Sequence, residues 1–447
     1  MKSNSVTPPT SASGEWTPRR VGRCATSLFL YCFLAYACSY IGRKNFSACI
    51  PAMIEEGFLT KAFGGTVNSA YMLVYGAGQL LSGIIGSKVK PRYMIGTGLC
   101  GAGLCNLAMG FVPSAEFMPL IWALNGLFHS MLWAPIIRTF TDLLPAGRKE
   151  RAGTNIAASC SIGAVLAFLI PGFILRFANW RVVFYISGGI LLTALLVWVV
   201  GNRFLASYVR MMEEATRIER AALRERAESE SATCGEPRKV KRALPAVILA
   251  SGLWVVLFGL VCNGALRDAV ESWAPTFLSD QFGLDSSMAA IISVIIPIVS
   301  ISGTYIANWL HMKFLKNELY TTAVMFGVAA LCVGGLFLCR ESNALLCAVF
   351  MAVSVSAMWG ANHMFLTVIP YHFAPLGLSA AVTGMLNSII YFATALCSAL
   401  YGLLADRLGW TPLMAIWLGI GATGILVCLL GSGLWGRKRK ALDEGRI

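Results

Sequence analysis

"AYACSYIGRKNFSACIP", residues 35–51, sets an arginine and a lysine side by side in an otherwise apolar run. On a helix, Tyr36, Tyr40, Arg43 and Ser47 fall at i, i+4, i+7 and i+11, which is one face. Lys44 is rotated from that face by about 100°. An arginine at mid-bilayer costs about 2.5–3.5 kcal/mol on insertion scales. The stripe therefore predicts a wet central cavity lined by Arg43 and two phenols. The bland alternative is an arginine near a helix end, snorkelling to the interface.

The surrounding composition gives that run its context. The chain has 447 residues, 57% hydrophobic and 13% charged, with a mean hydropathy of +0.67. A soluble domain carries about 25% charged residues. Apolar runs of about 20 residues, each long enough to cross a bilayer as a helix, recur from Ser27 to Leu434. About twelve spans are expected, starting near residues 25, 67, 92, 117, 153, 181, 246, 287, 319, 343, 379 and 411. The net charge of +14 does not imply nucleic acid, because the basic residues sit in alternate loops. Lys88, Lys90 and Arg92 follow span 2, Arg148, Lys149 and Arg151 follow span 4, and Arg437 to Lys440 follow span 12. This positive-inside pattern places both termini in the cytoplasm. The 14 cysteines lie mostly within apolar runs without CxxC spacing, so they read as small buried hydrophobes. Residues 1–22 read as a disordered tail, and the first run is too long for a cleaved signal peptide.

A polar loop over residues 204–244 divides the spans into a bundle at 23–203 and a bundle at 245–435, before a basic tail at 436–447. The start of that loop, "VRMMEEATRIERAALRERAESE", is expected to form an exposed helix with Glu213 and Arg217 paired at i,i+4. The two halves repeat. Arg43 and Pro51 match Arg267 and Pro275 at the same separation, and "SMLW" ending at Trp133 matches "SAMW" ending at Trp359. Repeated halves around a midplane site are a transporter architecture.

With "YIGRKNFSACIP", "GLFHSMLWAPIIRTFTD", "KERAG" and "LRDAVESWAPTFL" in view, the sequence resembles the major facilitator superfamily. More narrowly it resembles the organophosphate:phosphate antiporters, over about residues 25–435. The resemblance implies an all-α membrane protein with the major facilitator fold: about twelve transmembrane helices in two pseudo-symmetric six-helix bundles. It implies that Arg43 and Arg267 clamp a phosphate, with Tyr36, Tyr40, Tyr75 and Tyr391 around them. Three positions depart from the family pattern: its phosphate-site histidine falls at Ile162, a lysine at Gln79, and an acidic loop residue at Ser87.

Other intramembrane polar residues carry two readings each. Arg267 has Asp268 beside it and Glu271 at i+4, so it can form an internal salt bridge that an anion displaces, or the carboxylates can carry a proton. Lys44 adds charge to the site or pairs outside it. Asn263 shares a stripe with Arg267 and Glu271, or bonds between helices. His129 and Trp133 continue a stripe from Asn125, and His363 follows Trp359 by one turn. Each histidine reaches the phosphate or merely bonds between helices, and the tryptophans line the cavity or pack in the core. Asn387 and Tyr391 form a polar face on span 11.

No Walker A, HExxH or GxSxG motif is present, and four scattered histidines offer no metal cage. The expectation is no enzyme, no cofactor and no nucleic-acid partner. "GIGATG" at 419–424 sits in an apolar span and reads as helix packing, and "NFS" at Asn45 abuts the site and reads as no glycosylation sequon. The sequence thus predicts a monomeric secondary transporter in the cytoplasmic membrane. It would exchange a phosphorylated small molecule or related organic anion for inorganic phosphate by alternating access. The alternatives are a proton-coupled carrier using Asp268 or Glu271, and a transporter-like sensor.

Overall fold

The computed structural model describes residues 17–86, 88–218, 251–373 and 378–443. Among them are twelve long helical spans. The first half holds α1 (Pro18–Glu55), α2 (Lys61–Ile85), α3 (Pro91–Phe111), α4 (Ala115–Leu143), α5 (Gly147–Leu175) and α6 (Trp180–Phe204). The second holds α7 (Leu253–Phe282), α8 (Ser286–Leu315), α9 (Glu318–Cys339), α10 (Ala344–Tyr371), α11 (Ser379–Leu408) and α12 (Trp410–Asp443). Eleven of these are long and apolar enough to cross a bilayer; α2 is the twelfth. Its sequence carries Lys61, Asn68, Ser69 and Gln79 among the apolar residues.

Local chemistry sets the helix starts. Thr17 caps α1 by accepting from the Arg20 amide at 3.3 Å, with Pro18 in the first turn. The helix therefore begins upstream of the apolar run, and the tail expected to reach residue 22 is helical from Pro18. Residues 1–16 lie outside the described residues. Asn179, Asn317, Asn343 and Asp285 likewise cap α6, α9, α10 and α8 through their side-chain oxygens.

Proline governs the interruptions. Pro135 supplies no amide, and α4 breaks at Met131–Leu132 between Ser130 and Trp133. α10 widens into a π-turn at Met364–Val368 just ahead of Pro370. Glycine sets how closely helices approach. A Cβ on Gly424 would meet the Phe326 ring at 2.6 Å and one on Gly421 would meet Ala330 at 3.2 Å. "GIGATG" is accordingly a packing surface of α12 against α9.

The two halves meet along α2 and α11. A Cβ on Gly65 would lie 2.5 Å from the Ser398 carbonyl, and one on Gly402 would lie 2.5 Å from the Lys61 carbonyl. That backbone approach brings Asn68 to donate to Ser398 Oγ at 2.9 Å and Ser69 to donate to the Ala395 carbonyl. Nearby, Lys61 pairs with Asp280 at 2.5 Å, Ser279 donates to Glu55 at 3.4 Å, and Ser287 donates to the Gly172 carbonyl of α5 at 2.7 Å. These polar ties cluster at the end of the molecule carrying the α1–α2 and α7–α8 connections.

The linker begins as a helix over 206–218, but it is packed rather than exposed. Tyr208 is buried and donates to the Leu143 carbonyl at 2.7 Å, and Thr216 donates to the Asp142 carbonyl at 2.6 Å. Glu213 pairs with Lys90 at 2.9 Å, and Arg217 approaches Glu214 at 3.8 Å, in place of the expected Glu213–Arg217 pair. The remainder of the 204–244 loop, from 219 on, lies outside the described residues.

The α2–α11 seam yields a stability prediction. Gly402→Ala forces a methyl into backbone and costs about 1–3 kcal/mol by overpacking, read as a lower melting temperature of the purified protein. Gly83→Ala, whose Cβ meets open space inside the same helix, holds or slightly raises that temperature.

Candidate functional site

The rear of α1 is clamped first. A Cβ on Gly42 would lie 2.4 Å from the Leu191 side chain of α6, so the bare backbone here lets α1 and α6 pack closely. The exposed Gly42 carbonyl accepts from Asn106 of α3 at 3.0 Å and from Asn125 of α4 at 3.1 Å. Asn45, fully buried, donates to Asn106 at 2.9 Å, which disposes of the glycosylation motif. With one face of α1 fixed in this way, Arg43 points from another toward the second half.

Arg43 sits in a box of phenols. Its guanidinium carbon is 4.4 Å from the Tyr75 ring centroid, 5.6 Å from Tyr40 and 5.7 Å from both Tyr71 and Tyr391. Ring quadrupoles attract a cation without neutralising it. Tyr391, from α11, sets its ring edge-on to Tyr75 with centroids 4.7 Å apart, and Gln79 donates to the Tyr75 hydroxyl at 2.7 Å. Arg267 is buried on α7. Its Nη1 donates to Asn362 Oδ1 of α10 at 2.9 Å, and its guanidinium carbon lies 4.7 Å from the Trp359 centroid. Tyr391 lies within the field of both guanidiniums. Nε of each arginine is buried without a hydrogen-bond partner.

The carboxylates go elsewhere. Lys44 reaches across from α1 to α7, with Nζ 3.2 Å from Glu271 and 3.7 Å from Asp268, and all three side chains are buried. Glu271 thus meets Lys44, not Arg267 as the i+4 spacing had allowed. The rotation of Lys44 away from the Arg43 stripe is what turns it to these partners. Among the described residues neither Arg43 nor Arg267 forms an ion pair. The arrangement leaves two planar, permanently charged donors without an anion, beside a lysine that has two.

The other candidates divide. Tyr36 is buried against Tyr40 and Trp133, with centroids 5.5 and 5.0 Å away, in the wall behind the box. Trp133 therefore packs on Tyr36, whereas its repeat mate Trp359 carries Arg267. His129 places its ring nitrogens 2.9 Å from the carbonyls of Asn125 and Ser39, so it bonds between α4 and α1. Asn263 donates to the Met358 carbonyl at 2.8 Å and joins α7 to α10. His363 is half-buried on α10. Asn387 is half-buried one turn before Tyr391 and makes no hydrogen bond among the described residues. Ser87 lies outside the described residues. Two participants escaped the sequence reading, Tyr71 and Asn362. Tyr71 precedes Tyr75 by one turn, a visible signal; Asn362 had none, because its role depends on α10 lying beside α7.

The chain as a whole is similar to known proteins. A family model described as Major Facilitator Superfamily matches residues 32–375. The chain belongs to the Major Facilitator Superfamily. It is 25% identical over 400 residues to a glycerol-3-phosphate transporter of Bacillus subtilis (strain 168), covering 87% of this chain and 88% of that protein. It is 24% identical over 425 residues to a probable hexose phosphate transport protein of Chlamydia pneumoniae, covering 90% of each. Its fold is similar to the crystal structure of a bacterial homolog to the human lysosomal transporter Spinster in an inward-facing, unoccupied conformation. That superposition has a TM-score of 0.67 at 15% identity, over 95% of this chain and 98% of the other. As a superfamily member the chain is an integral membrane protein, and the all-α, two-bundle architecture expected from the sequence is the one it has.

The charge assignment predicts a split in stability. Lys44→Gln strands two buried carboxylates and destabilises the protein by about 3–5 kcal/mol, the cost of removing one partner of a buried pair. Adding Glu271→Gln restores most of that loss in thermal unfolding.

Proposed function

We propose that this protein is a secondary transporter of a phosphorylated small molecule or related organic anion, exchanged for inorganic phosphate at a site held by Arg43 and Arg267. The observation that carries this reading is a pair of guanidiniums, one from each half, that have no carboxylate among the described residues while Lys44 takes Glu271 and Asp268. A phosphate dianion matches them in charge and in donor geometry, since guanidinium offers paired N–H groups to two oxygens. The similarity to glycerol-3-phosphate and hexose phosphate transporters supports the same class.

The mechanism follows from electrostatics. With the site empty, two cations repel in a low dielectric and oppose closure of the halves around it. A bound anion offsets that charge, so the halves rock only when loaded, and exchange is favoured over net flux. The Lys44–Glu271 pair crosses between α1 and α7 and must adapt during each rocking step. The polar ties gather at the end opposite the basic loops, so the site opens toward the side bearing those loops. By the positive-inside rule that side is the cytoplasm, and both termini lie there, in a plasma membrane. Ile162 and Gln79, at the positions of the family's histidine and lysine, leave fewer cations at the site, which suits a single phosphate group.

A proton-coupled carrier is the second reading, favoured by the burial of Asp268 and Glu271 at the interface. Proteoliposomes preloaded with phosphate separate the two. Exchange that stops without internal phosphate supports the antiporter; acid-stimulated net uptake into phosphate-free vesicles overturns it. Arg43→Lys, which keeps charge but loses the paired donors, is expected to slow exchange at least about tenfold, equivalent to 1.4 kcal/mol, with little change in melting temperature. Exchange at the original rate would refute the clamp.

A further inference from the structure

A second polar cavity lies away from the central cage, on the first half, at the end that carries its basic loops. It encloses about 420 Å³ between the 206–218 helix and the ends of α3, α4 and α6. Lys90, Arg92, Arg138 and Arg217 line it, against Asp142 and Glu213. Four cations face two carboxylates, so the cavity carries excess positive charge.

The pairing within it is uneven. Arg138 is committed, with Nε 3.2 Å from Asp142 and Nη1 donating to the Val89 carbonyl at 3.1 Å. Lys90 meets Glu213 at 2.9 Å, but both are well exposed, and such pairs contribute little. Among the described residues Arg217, well exposed, has a 3.8 Å approach to Glu214 and no closer carboxylate. Arg92 has no carboxylate among the described residues. Its Nη2 donates to Tyr93 at 2.9 Å, its Nε is buried without a partner, and its backbone carbonyl is held by Trp198 Nε1 at 3.0 Å. Arg92 also lies in the first turn of α3, whose N-cap residue Lys90 supplies no side-chain cap, so amide dipoles add to the positive field.

We propose that this cavity is a second anion site, selective for a phosphate group held by Arg92 and Arg217, with Lys90 released from Glu213 to join them. Planar guanidiniums on opposite walls prefer a phosphate, which offers oxygens to each, over a single carboxylate. Occupancy ties the 206–218 helix, the start of the segment joining the two halves, to the ends of α3 and α4. The site is therefore placed to regulate the rocking of the halves rather than to carry substrate. It does not depend on the central arginines being a substrate clamp.

The test is equilibrium dialysis of the purified full chain with radiolabelled inorganic phosphate. Wild type is expected to bind two phosphates per chain. Arg43→Gln with Arg267→Gln leaves one, and adding Arg92→Gln with Arg217→Gln weakens that remaining site at least tenfold. Glu213→Gln, which frees Lys90, tightens it severalfold. Native mass spectrometry resolves the source: an anionic phospholipid retained by wild type and lost from the Arg92/Arg217 variant identifies a lipid headgroup as the natural phosphate and supports the site. Phosphate binding indifferent to Arg92 and Arg217, with no retained phospholipid, overturns it. A failed central site shows separately, as a stoichiometry unchanged by the Arg43/Arg267 pair.

Discussion

Two guanidiniums held in a membrane interior, with no carboxylate partner among the described residues, are the constraint around which this protein is arranged. A buried cation of this kind is costly unless something offsets it. Here Lys44 takes Asp268 and Glu271, and among the described residues the arginines meet ring faces and the amide oxygen of Asn362. Lysine, a compact point charge on a flexible stem, can reach both carboxylates across the two helices. The arginines keep the planar forks that recognise a phosphate. Apportioning the charges this way separates the cation that joins the two halves from the cations proposed to meet a ligand.

The internal repeat supplies the frame and then is broken where chemistry begins. Both halves place an arginine ahead of a helix-internal proline, and both place a tryptophan on the fourth helix of the half. The environments nevertheless differ. Arg43 is boxed by four tyrosines, one of them contributed by the other half, while Arg267 stacks on Trp359 and is oriented by Asn362. Trp133 instead supports the phenolic wall through Tyr36. An asymmetric cage built on a symmetric scaffold can bind one oriented ligand while keeping the two-fold logic that alternating access needs.

The seam between α2 and α11 does the complementary mechanical work. Glycines 65 and 402 let two backbones touch, and Asn68, Ser69, Lys61 and Asp280 add polar ties at one end. Small residues and a few hydrogen bonds suit a contact that must separate and re-form, because little apolar area is exposed when it opens. The same end brings Ser287 to the Gly172 carbonyl, so α5 and α8 close with it.

Sequence alone determined the membrane class, the number of spans, the halves and the arginine pair. Each follows from local periodicity, charge placement or a repeat, which are properties of neighbours along the chain. The phase of Lys44 relative to the Arg43 stripe was also legible, as a rotation of one residue. Its partners were not, because Glu271 stands equally near Arg267 on its own helix, and only the packing of α1 against α7 decides between them. Tertiary structure likewise made Asn362 a ligand of Arg267, turned His129 and Asn263 into ties between helices, and folded the start of the linker onto the first half. In every such case the deciding contact joins helices far apart in sequence, where a side chain's role is set by which neighbouring helix it meets and not by its own pattern.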